Sequence, residues 1–169
     1  LAQKNRALKL QNEQQVRELD TLRKLAVTNR SQLAILLHKK RLLNDAQVQE
    51  LYKLQQQRRT PTLKLILEKG WVQEQQIRTV LAKDLMIEQV SLAEAQIPAE
   101  ILSLLPKSLC RDQWVLPLRE WQRRLTLVMA DPMDSGLLDD LRFTTGLQIE
   151  PVMADVTEIE AKIREVYGD

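Results

Sequence analysis

Few side chains in this sequence are suited to chemistry. His38 is the only histidine and Cys110 the only cysteine, which excludes a metal site built from several histidines and a disulfide within the chain. Four aspartates lie between residues 131 and 140, but Asp134 is placed to cap a helix and the spacing does not match a calcium-binding loop. We therefore predict no metal site, an inert thiol at Cys110 and a structural role for His38.

The sequence also lacks a phosphate-binding loop for ATP. The pattern Gly-x-x-x-x-Gly-Lys-Ser/Thr, whose backbone amides and lysine hold the phosphates, does not occur, and the chain has only 4 glycines. No other combination of residues has the types and spacing of a catalytic site. We predict that the chain is not an enzyme.

The overall composition excludes several classes of partner. The 25 basic and 23 acidic residues are interleaved and leave a net charge of +2, which is not typical of a nucleic-acid-binding surface. Aromatic residues make up 4% of the chain, too few for a groove on which bases stack. No run of about 18 apolar residues occurs, so we predict no membrane insertion. The single cysteine favours a reducing compartment, and we expect a cytoplasmic location.

The elements that position these residues begin with a repeat in residues 31–90. The segment LLHKKRLLNDAQVQELY at 36–52 aligns with LILEKGWVQEQQIRTVL at 65–81 after a shift of 29 residues, and seven aligned pairs are apolar in both copies. Apolar residues three and four apart predict a helix–turn–helix unit in each copy. Two copies are too few for an extended solenoid, so we expect one four-helix unit.

Several polar residues predict where these helices begin and end. Asn44 and Gln47 have the spacing of a reciprocal capping box. Thr60 is placed to cap the first helix of the second copy, with Pro61 in its first turn. Gly70 is placed to end that helix in the left-handed conformation.

Three further segments complete the chain. Residues 1–30 are polar and lack glycine and proline, and they predict a helical extension that is either solvated or paired with a partner. Residues 91–113 predict a connector with one short helix between Pro98 and Pro106. Residues 114–169 predict the order ββαβα. The predicted fold class is α+β, with a helical repeat subdomain followed by a small ββαβα domain.

Within the last segment, the predicted helices and the third strand carry their own signals. Asp134 and Gly146 are placed to begin and end the first helix. Asp155 caps the last helix, with Glu158 three residues later at the reciprocal position. Pro151 places the third strand at a sheet edge or at a bulge.

The order of several short motifs resembles a known family. The segments VLPL, MADP, LDDLRF followed by TG, and EPVMA occur in that order within residues 101–168, after the 29-residue repeat. Together they resemble the N-terminal, non-ATPase region of type II secretion and type IV pilus assembly ATPases. In the subgroup with MshEN domains, the two repeats form a binding site for cyclic di-GMP. Similar domains occur fused to other bacterial proteins, so the resemblance identifies a module and leaves its parent protein open.

The resemblance implies which positions would hold this nucleotide. The family motif uses an arginine for phosphate, an early glycine for close backbone approach and apolar side chains for the guanines. The two arginine positions fall on Gln32 and Pro61, and the two early glycine positions on Ala34 and Leu63. The apolar scaffold is present in both copies, whereas the phosphate-binding residues of the motif are not.

Other motif positions complete the candidate site. The later glycine is Arg41 in the first copy and Gly70 in the second, and Asp84 stands where the second copy would have glutamine. Trp71 is either a core residue or a flat face for a guanine or a protein partner. Four arginines near the vacated positions are candidates to replace those of the motif: Arg30, Arg41, Arg58 and Arg59. The candidate cyclic di-GMP residues are Gln32, Leu33, Leu37, Arg41, Leu42, Val48, Tyr52, Gln55, Arg59, Ile66, Gly70, Trp71, Ile77 and Leu81.

Loss of both motif arginines favours docking over nucleotide sensing. One charge-assisted phosphate contact contributes about 1.5–3 kcal/mol, and Asp84 adds a negative charge. The first hypothesis is a non-catalytic docking module of a bacterial secretion- or pilus-type machine. Its implied partner is the cytoplasmic region of an inner-membrane protein, or the rest of a larger parent chain. The alternative is a cyclic di-GMP sensor with a degenerate motif. Either function implies a location at the inner face of the bacterial inner membrane.

Overall fold

The computed structural model describes Glu13, residues 31–58 and residues 60–168. The predicted helical extension at residues 1–30 lies outside the described residues apart from Glu13, and Arg59 lies outside them as well. We call residues 31–85 the repeat half and residues 99–168 the α+β half.

The repeat half consists of four helices. They are α1 (Gln32–Lys39), α2 (Asp45–Gln57), α3 (Thr62–Lys69) and α4 (Glu74–Leu85). The pairs α1–α2 and α3–α4 are the two helix–turn–helix units that the repeat predicts. Most of their shared apolar positions are buried, among them Leu37, Leu51, Ile66, Ile77 and Leu81. Because burial of one such side chain contributes about 1.5–3 kcal/mol, these positions hold the four helices together.

The beginnings of α2 and α3 differ in how well the sequence predicts them. The capping box is confirmed, since Gln47 N donates to Asn44 Oδ1 at 2.8 Å and Asn44 N donates to Gln47 Oε1 at 2.9 Å. The predicted Thr60 cap is wrong. Pro61, with an extended ψ of 145°, takes the position before the first helical residue and makes no side-chain cap, so α3 begins at Thr62.

The turn inside each repeat uses a residue with positive φ. Gly70 ends α3 with φ of 70°, which confirms the predicted left-handed stop. Arg41, which aligns with Gly70 after the 29-residue shift, has φ of 63°. A residue with a Cβ adopts this conformation at a cost of about 1–2 kcal/mol. The turn therefore imposes the same backbone geometry on both copies, although only one carries glycine.

The connector contains two helices rather than the one predicted. They are α5 (Ala99–Leu102) and α6 (Lys107–Gln113). The predicted short helix after Pro98 is α5, which ends at Leu102, four residues before Pro106; the sequence did not predict α6, which begins directly after Pro106. Proline is as common at a helix start as it is after a helix end, so its position alone does not separate the two.

A three-stranded sheet forms the centre of the α+β half. Its strands are β1 (Val115–Trp121), β2 (Arg124–Met129) and β3 (Gln148–Val152), in the spatial order β1-β2-β3. β1 and β2 are antiparallel, and α7 (Ser135–Thr145) connects β2 to the parallel strand β3. α8 (Val156–Tyr167) follows β3. The predicted order ββαβα and the α+β fold class are confirmed.

Local signals in the α+β half are mostly confirmed. Asp134 accepts a hydrogen bond from Leu137 N at 3.1 Å and begins α7, and Gly146 ends it with φ of 68°. Pro151 lies in β3, the edge strand beside β2. Asp155 caps α8 through Thr157 N. Glu158 was predicted to return a hydrogen bond to the cap, but its carboxylate accepts from Ser91 and Leu92 in the preceding linker instead.

Buried side chains of both halves form one apolar cluster. It extends from α1–α4 into the sheet and onto α8, and it includes fully buried residues of both halves, such as Leu37 and Leu127. The linker joins the halves through the backbone as well, since Val90 N donates to Met153 O and Met153 N donates to Glu88 O. The two halves therefore share a core and an extension of the sheet.

Candidate functional site

The structure divides the predicted nucleotide residues by exposure. The fully buried ones belong to the apolar core: Leu33, Leu37, Val48, Ile66, Ile77 and Leu81. Four are partly buried: Leu42, Tyr52, Gln55 and Trp71. Gln32, Arg41 and Gly70 are exposed, and Arg59 lies outside the described residues. The buried residues pack inside the repeats and are not accessible to a ligand. A ligand would therefore contact the partly buried and exposed residues directly.

The turn of the first repeat borders an open depression. Its volume is about 690 Å³ and its lining includes Arg41, Leu42 and the neighbouring His38. His38 is held by a contact between its Nε2 and the Asp45 carboxylate, which fixes the end of α1 against the start of α2. This contact agrees with the predicted structural role of His38. Arg41 and Leu42 are the candidate residues that a ligand in this depression would reach.

The two motif arginine positions hold no cation. Gln32 is the first residue of α1, and Pro61 is the residue before α3. Arg58, one of the proposed replacements, pairs with Glu68 at 3.3 Å on the surface. Arg30 and Arg59 lie outside the described residues. Among the four replacements, Arg41 is the one that the structure places at a turn of the repeat without a salt bridge among the described residues.

Gln55 connects the two repeats by a contact that sequence reasoning missed. Its Nε2 donates to Thr62 Oγ1 at 2.6 Å, across the junction of α2 and α3. Its Oε1 is shut off from solvent and has no hydrogen-bond partner within the described residues. An unsatisfied buried acceptor carries a desolvation penalty of about 1–3 kcal/mol. Gln55 is therefore a structural link at a motif position, and its carbonyl oxygen is buried without a partner among the described residues.

Asp84 is neutralised by a residue of the first repeat. Lys40 Nζ lies 3.0 Å from Asp84 Oδ2, so the end of α1 is paired with the end of α4. The sequence suggests only that Asp84 would repel a phosphate. The structure shows that a lysine already balances this charge, and ion pairs of such exposure contribute about 0–1 kcal/mol.

A polar cluster joins α4 to the start of α8. Arg78 lies 3.3 Å from Glu74 and 3.4 Å from Asp155, and Val156 N donates to Glu74 Oε1 at 2.7 Å. These residues are up to 82 positions apart in the chain. No local pattern predicts the pairing, although Asp155 was recognised as a cap. The cluster fixes the repeat half against the α+β half.

The side chains first considered for chemistry are structural. Cys110 is buried, and burial raises the pKa of its thiol to about 11, so the thiolate is scarce at neutral pH. Burial also raises the pKa of Asp131, to about 7, with a smaller contribution from the charge of Asp134. In the part of the chain that the structure describes, no three His, Cys, Asp or Glu side chains converge as a metal site would require. None of the described helices has the length and apolar character to span a membrane.

The α+β half carries the similarity to a family of known proteins. Residues 85–169 match the family model described as the MshEN domain. The match begins at the last residue of α4 and covers the linker and the α+β half. The helical repeats, where the predicted nucleotide residues lie, precede the matched region.

Relatives and solved structures extend the similarity to most of the chain. The chain is 26% identical over 137 residues to the type IV pilus assembly ATPase PilB of Myxococcus xanthus. The alignment covers 81% of this chain and 24% of PilB. The chain therefore spans about a quarter of the length of that curated relative.

Two solved structures have the same fold. The N-terminal domain of XpsE matches with a TM-score of 0.60 and 25% identity, over 78% of this chain and 91% of that one. MshE with cdg matches with a TM-score of 0.55 and 21% identity, over 81% of this chain and 99% of that one.

Proposed function

Because the chain belongs to the MshEN domain family, we propose that it is a non-catalytic docking module of a bacterial secretion- or pilus-type machine. In this proposal ATP hydrolysis takes place elsewhere in a larger parent protein, and this module attaches the parent to a partner. The description of the relative PilB as a type IV pilus assembly ATPase supports the kind of machine.

Exposed aromatic side chains on the α+β half are the observation that carries the proposal. Trp121 is 74% exposed and Phe143 is 93% exposed. Aromatic side chains are enriched at the energetic centres of protein interfaces, where they lose their contact with water. By contrast, the predicted nucleotide site lacks the cations of its motif. The surface chemistry therefore favours a protein partner over a nucleotide.

Trp121 lies within what we call the hairpin surface, formed by Arg119, Trp121, Arg123 and Arg124. It borders an open depression of about 960 Å³ at the turn between β1 and β2. Arg124 pairs with Glu150 at 3.1 Å, and Arg123 donates to Gly146 O at 3.0 Å. An aromatic anchor surrounded by arginines fits a partner segment that carries an apolar residue between acidic ones.

The partner we propose is the cytoplasmic region of an inner-membrane component of the same machine. This places the module in the cytoplasm at the inner face of the membrane. The family resemblance and the kinds of relatives support this assignment. Candidate segments that carry acidic residues would be tested first, because the three arginines of the hairpin surface outnumber the two carboxylates that line the same depression, Glu120 and Glu150.

A binding titration with purified cytoplasmic regions of such components tests the proposal. Trp121→Ala should weaken binding about 30-fold, as expected for the loss of a central aromatic anchor. Met86→Ala is the matched control, since Met86 is also apolar and 89% exposed but lies in the linker. Absence of binding by the wild-type chain, or an equal loss in both variants, contradicts the docking proposal.

A second candidate function is cyclic di-GMP sensing by the repeat half. The solved structure of MshE with cdg supports it, as does the exposed Arg41 at a motif position beside the depression of the first repeat. In this case nucleotide would bind across the two repeats and change their contact with the α+β half. Arg41 would supply the phosphate contact in place of the missing motif arginines.

Calorimetry with cyclic di-GMP separates the two candidates. Sensing predicts saturable heat of binding. Arg41→Ala should weaken the affinity about tenfold or more. Lys53→Ala, which removes the same charge from an exposed residue of α2, should leave the affinity unchanged. No heat and no thermal shift at about 1 mM nucleotide would exclude affinities of functional interest.

A further inference from the structure

A third cavity lies between the repeat half and the α+β half, away from the predicted nucleotide residues. Its volume is about 380 Å³, and we call it the seam cavity. α3 contributes Lys64, α6 contributes Lys107 and Arg111, and α8 contributes Glu160, Ile163 and Arg164. Trp114 and Gly168 complete the lining. The volume is within the range of about 300–1,000 Å³ that is typical of small-molecule sites.

Trp114 is the fixed wall of the seam cavity. It ends α6 with φ of 52°, an unfavourable conformation for a residue with a large side chain. Three contacts hold it there. Its Nε1 donates to Glu160 at 3.0 Å, its carbonyl accepts from Ala130 N at 3.1 Å, and Lys64 Nζ lies 4.7 Å from the ring centroid. The aromatic wall is therefore formed before any ligand binds.

The charges around the seam cavity are unbalanced. Four cationic side chains and one carboxylate line it, and that carboxylate, Glu160, already accepts from Trp114. Within the described residues, no salt bridge reaches Lys64, Lys107 or Arg164, and Arg111 pairs only with its exposed neighbour Asp112. Among the described residues, the lining thus has three more cationic than anionic side chains, or two more when Asp112 beside Arg111 is included, around an apolar floor of Trp114 and Ile163.

The ammonium group of Lys64, one of these cations, is partly shielded from water. Its ammonium donates to Arg111 O at 2.9 Å, and burial lowers its pKa, with the neighbouring Arg111 charge acting in the same direction. Asp112 and Glu160 oppose this shift. An anion bound beside Lys64 would be favoured because it would compensate a charge that the fold has partly desolvated.

From this arrangement we propose that the seam cavity binds a small phosphate monoester with a flat apolar part. The phosphate is placed among Lys107, Arg111 and Arg164, and the flat part lies against Trp114 and Ile163. A doubly charged phosphate matches the surplus of cations better than a single carboxylate does. The ligand would contact α3 of the repeat half and α6 and α8 of the α+β half at once, so its binding would stabilise the seam between them.

Tryptophan fluorescence of the whole chain tests this proposal with defined probes. In a Trp71→Phe/Trp121→Phe background, Trp114 is the remaining tryptophan. Phenyl phosphate and AMP should quench it saturably, and methyl phosphate should bind more weakly because it lacks a flat part. Methyl phosphate binding as tightly as phenyl phosphate would overturn the proposed role of the aromatic wall.

Charge variants give the decisive comparison. Lys107→Ala and Arg164→Ala should each weaken phenyl phosphate binding about tenfold or more, while Lys83→Ala, which removes an exposed lysine of α4, should have no effect. Thermal unfolding checks that each variant remains folded. The absence of saturable quenching up to about 10 mM probe overturns the proposal, and so does an equal effect of Lys83→Ala. Cyclic di-GMP binding that is insensitive to Lys107→Ala, without binding of either aromatic phosphate, would overturn it too.

Discussion

The repeat half and the α+β half relate to their family in different ways. In the repeat half, most of the shared apolar positions of the two copies are buried, whereas the positions that would bind phosphate hold Gln32 and Pro61. In the α+β half, the sequence matches the family model from the linker onward, and large aromatic side chains such as Trp121 are exposed.

This difference shows that packing and ligand contact depend on separate residues. Leu37 and Ile66 maintain the repeat because each is fully buried, and a change there would open a cavity. Gln32 lies on the surface at the start of α1, where substitution scarcely affects packing. The repeat fold therefore persists without its motif arginines. Four predictions test this separation.

The largest expected effect concerns whether the two halves unfold together. Leu37→Ala in α1 and Leu127→Ala in β2 should each lower the free energy of unfolding by about 2–5 kcal/mol, because both side chains are fully buried. Since they belong to one cluster, each variant should unfold in a single urea transition, measured by circular dichroism and tryptophan fluorescence. Two separate transitions, with Leu37→Ala shifting only one, would show that the halves are independent.

The next prediction restores a phosphate contact to the repeat half. Gln32→Arg places an arginine at an exposed motif position without disturbing the core, and one such contact contributes about 1.5–3 kcal/mol. We expect cyclic di-GMP affinity to rise about tenfold to a hundredfold in calorimetry. Gln32→Lys is the control, since it adds the charge without the bidentate geometry and should gain less. Unchanged affinity in both variants would show that the repeats lack more than the arginine.

A smaller effect on the free energy of unfolding is expected at the two aligned turns. Gly70→Ala should destabilise the chain by about 1 kcal/mol through backbone conformation alone, because an added Cβ would meet nothing within 4 Å. Arg41→Gly should stabilise the chain by a similar amount, since glycine adopts φ of 63° without strain. Chemical unfolding measures both. If the two substitutions change the free energy of unfolding in opposite directions, the turns are equivalent. A destabilising Arg41→Gly would indicate that the Arg41 side chain contributes contacts of its own.

The last prediction concerns an ionisable group of the α+β half. Burial raises the pKa of Asp131 from an ordinary 3.8 to about 7. Its contribution to stability is therefore fully present below about pH 4 and is lost as the pH rises through about 7. Asp131→Asn stays neutral and keeps an acceptor for Met133 N. Its melting temperature should fall less than that of the wild type between pH 5 and pH 8. Asp140→Asn, on an exposed carboxylate, should change nothing.

Local signals in the sequence predicted most elements correctly. The 29-residue repeat, the capping box of Asn44 and Gln47 and the stop at Gly70 all act over a few residues, so sequence alone reveals them. The errors have equally local causes. Pro106 was interpreted as a helix end although it precedes α6, and Thr60 was assigned a cap that Pro61 displaces by one residue.

The sites at the boundary of the two halves could not be predicted in this way. The Arg78 cluster joins residues of α4 to the start of α8, and Lys64 meets Trp114 from a different half of the chain. Such pairs are set by how the shared core packs, and no periodicity or spacing encodes them. The pairing of Lys40 with Asp84, which changes the interpretation of the motif, belongs to the same class.

The fold class, the doubled helical unit and the family resemblance follow from the sequence alone, because apolar periodicity, caps and short motifs act over a few residues. The burial of each candidate nucleotide residue depends on the tertiary structure. The same is true of the neutralisation of Asp84 and of the position of cations from α3, α6 and α8 around Trp114. These depend on contacts between residues far apart in the chain, and only the packing of one half against the other brings them together.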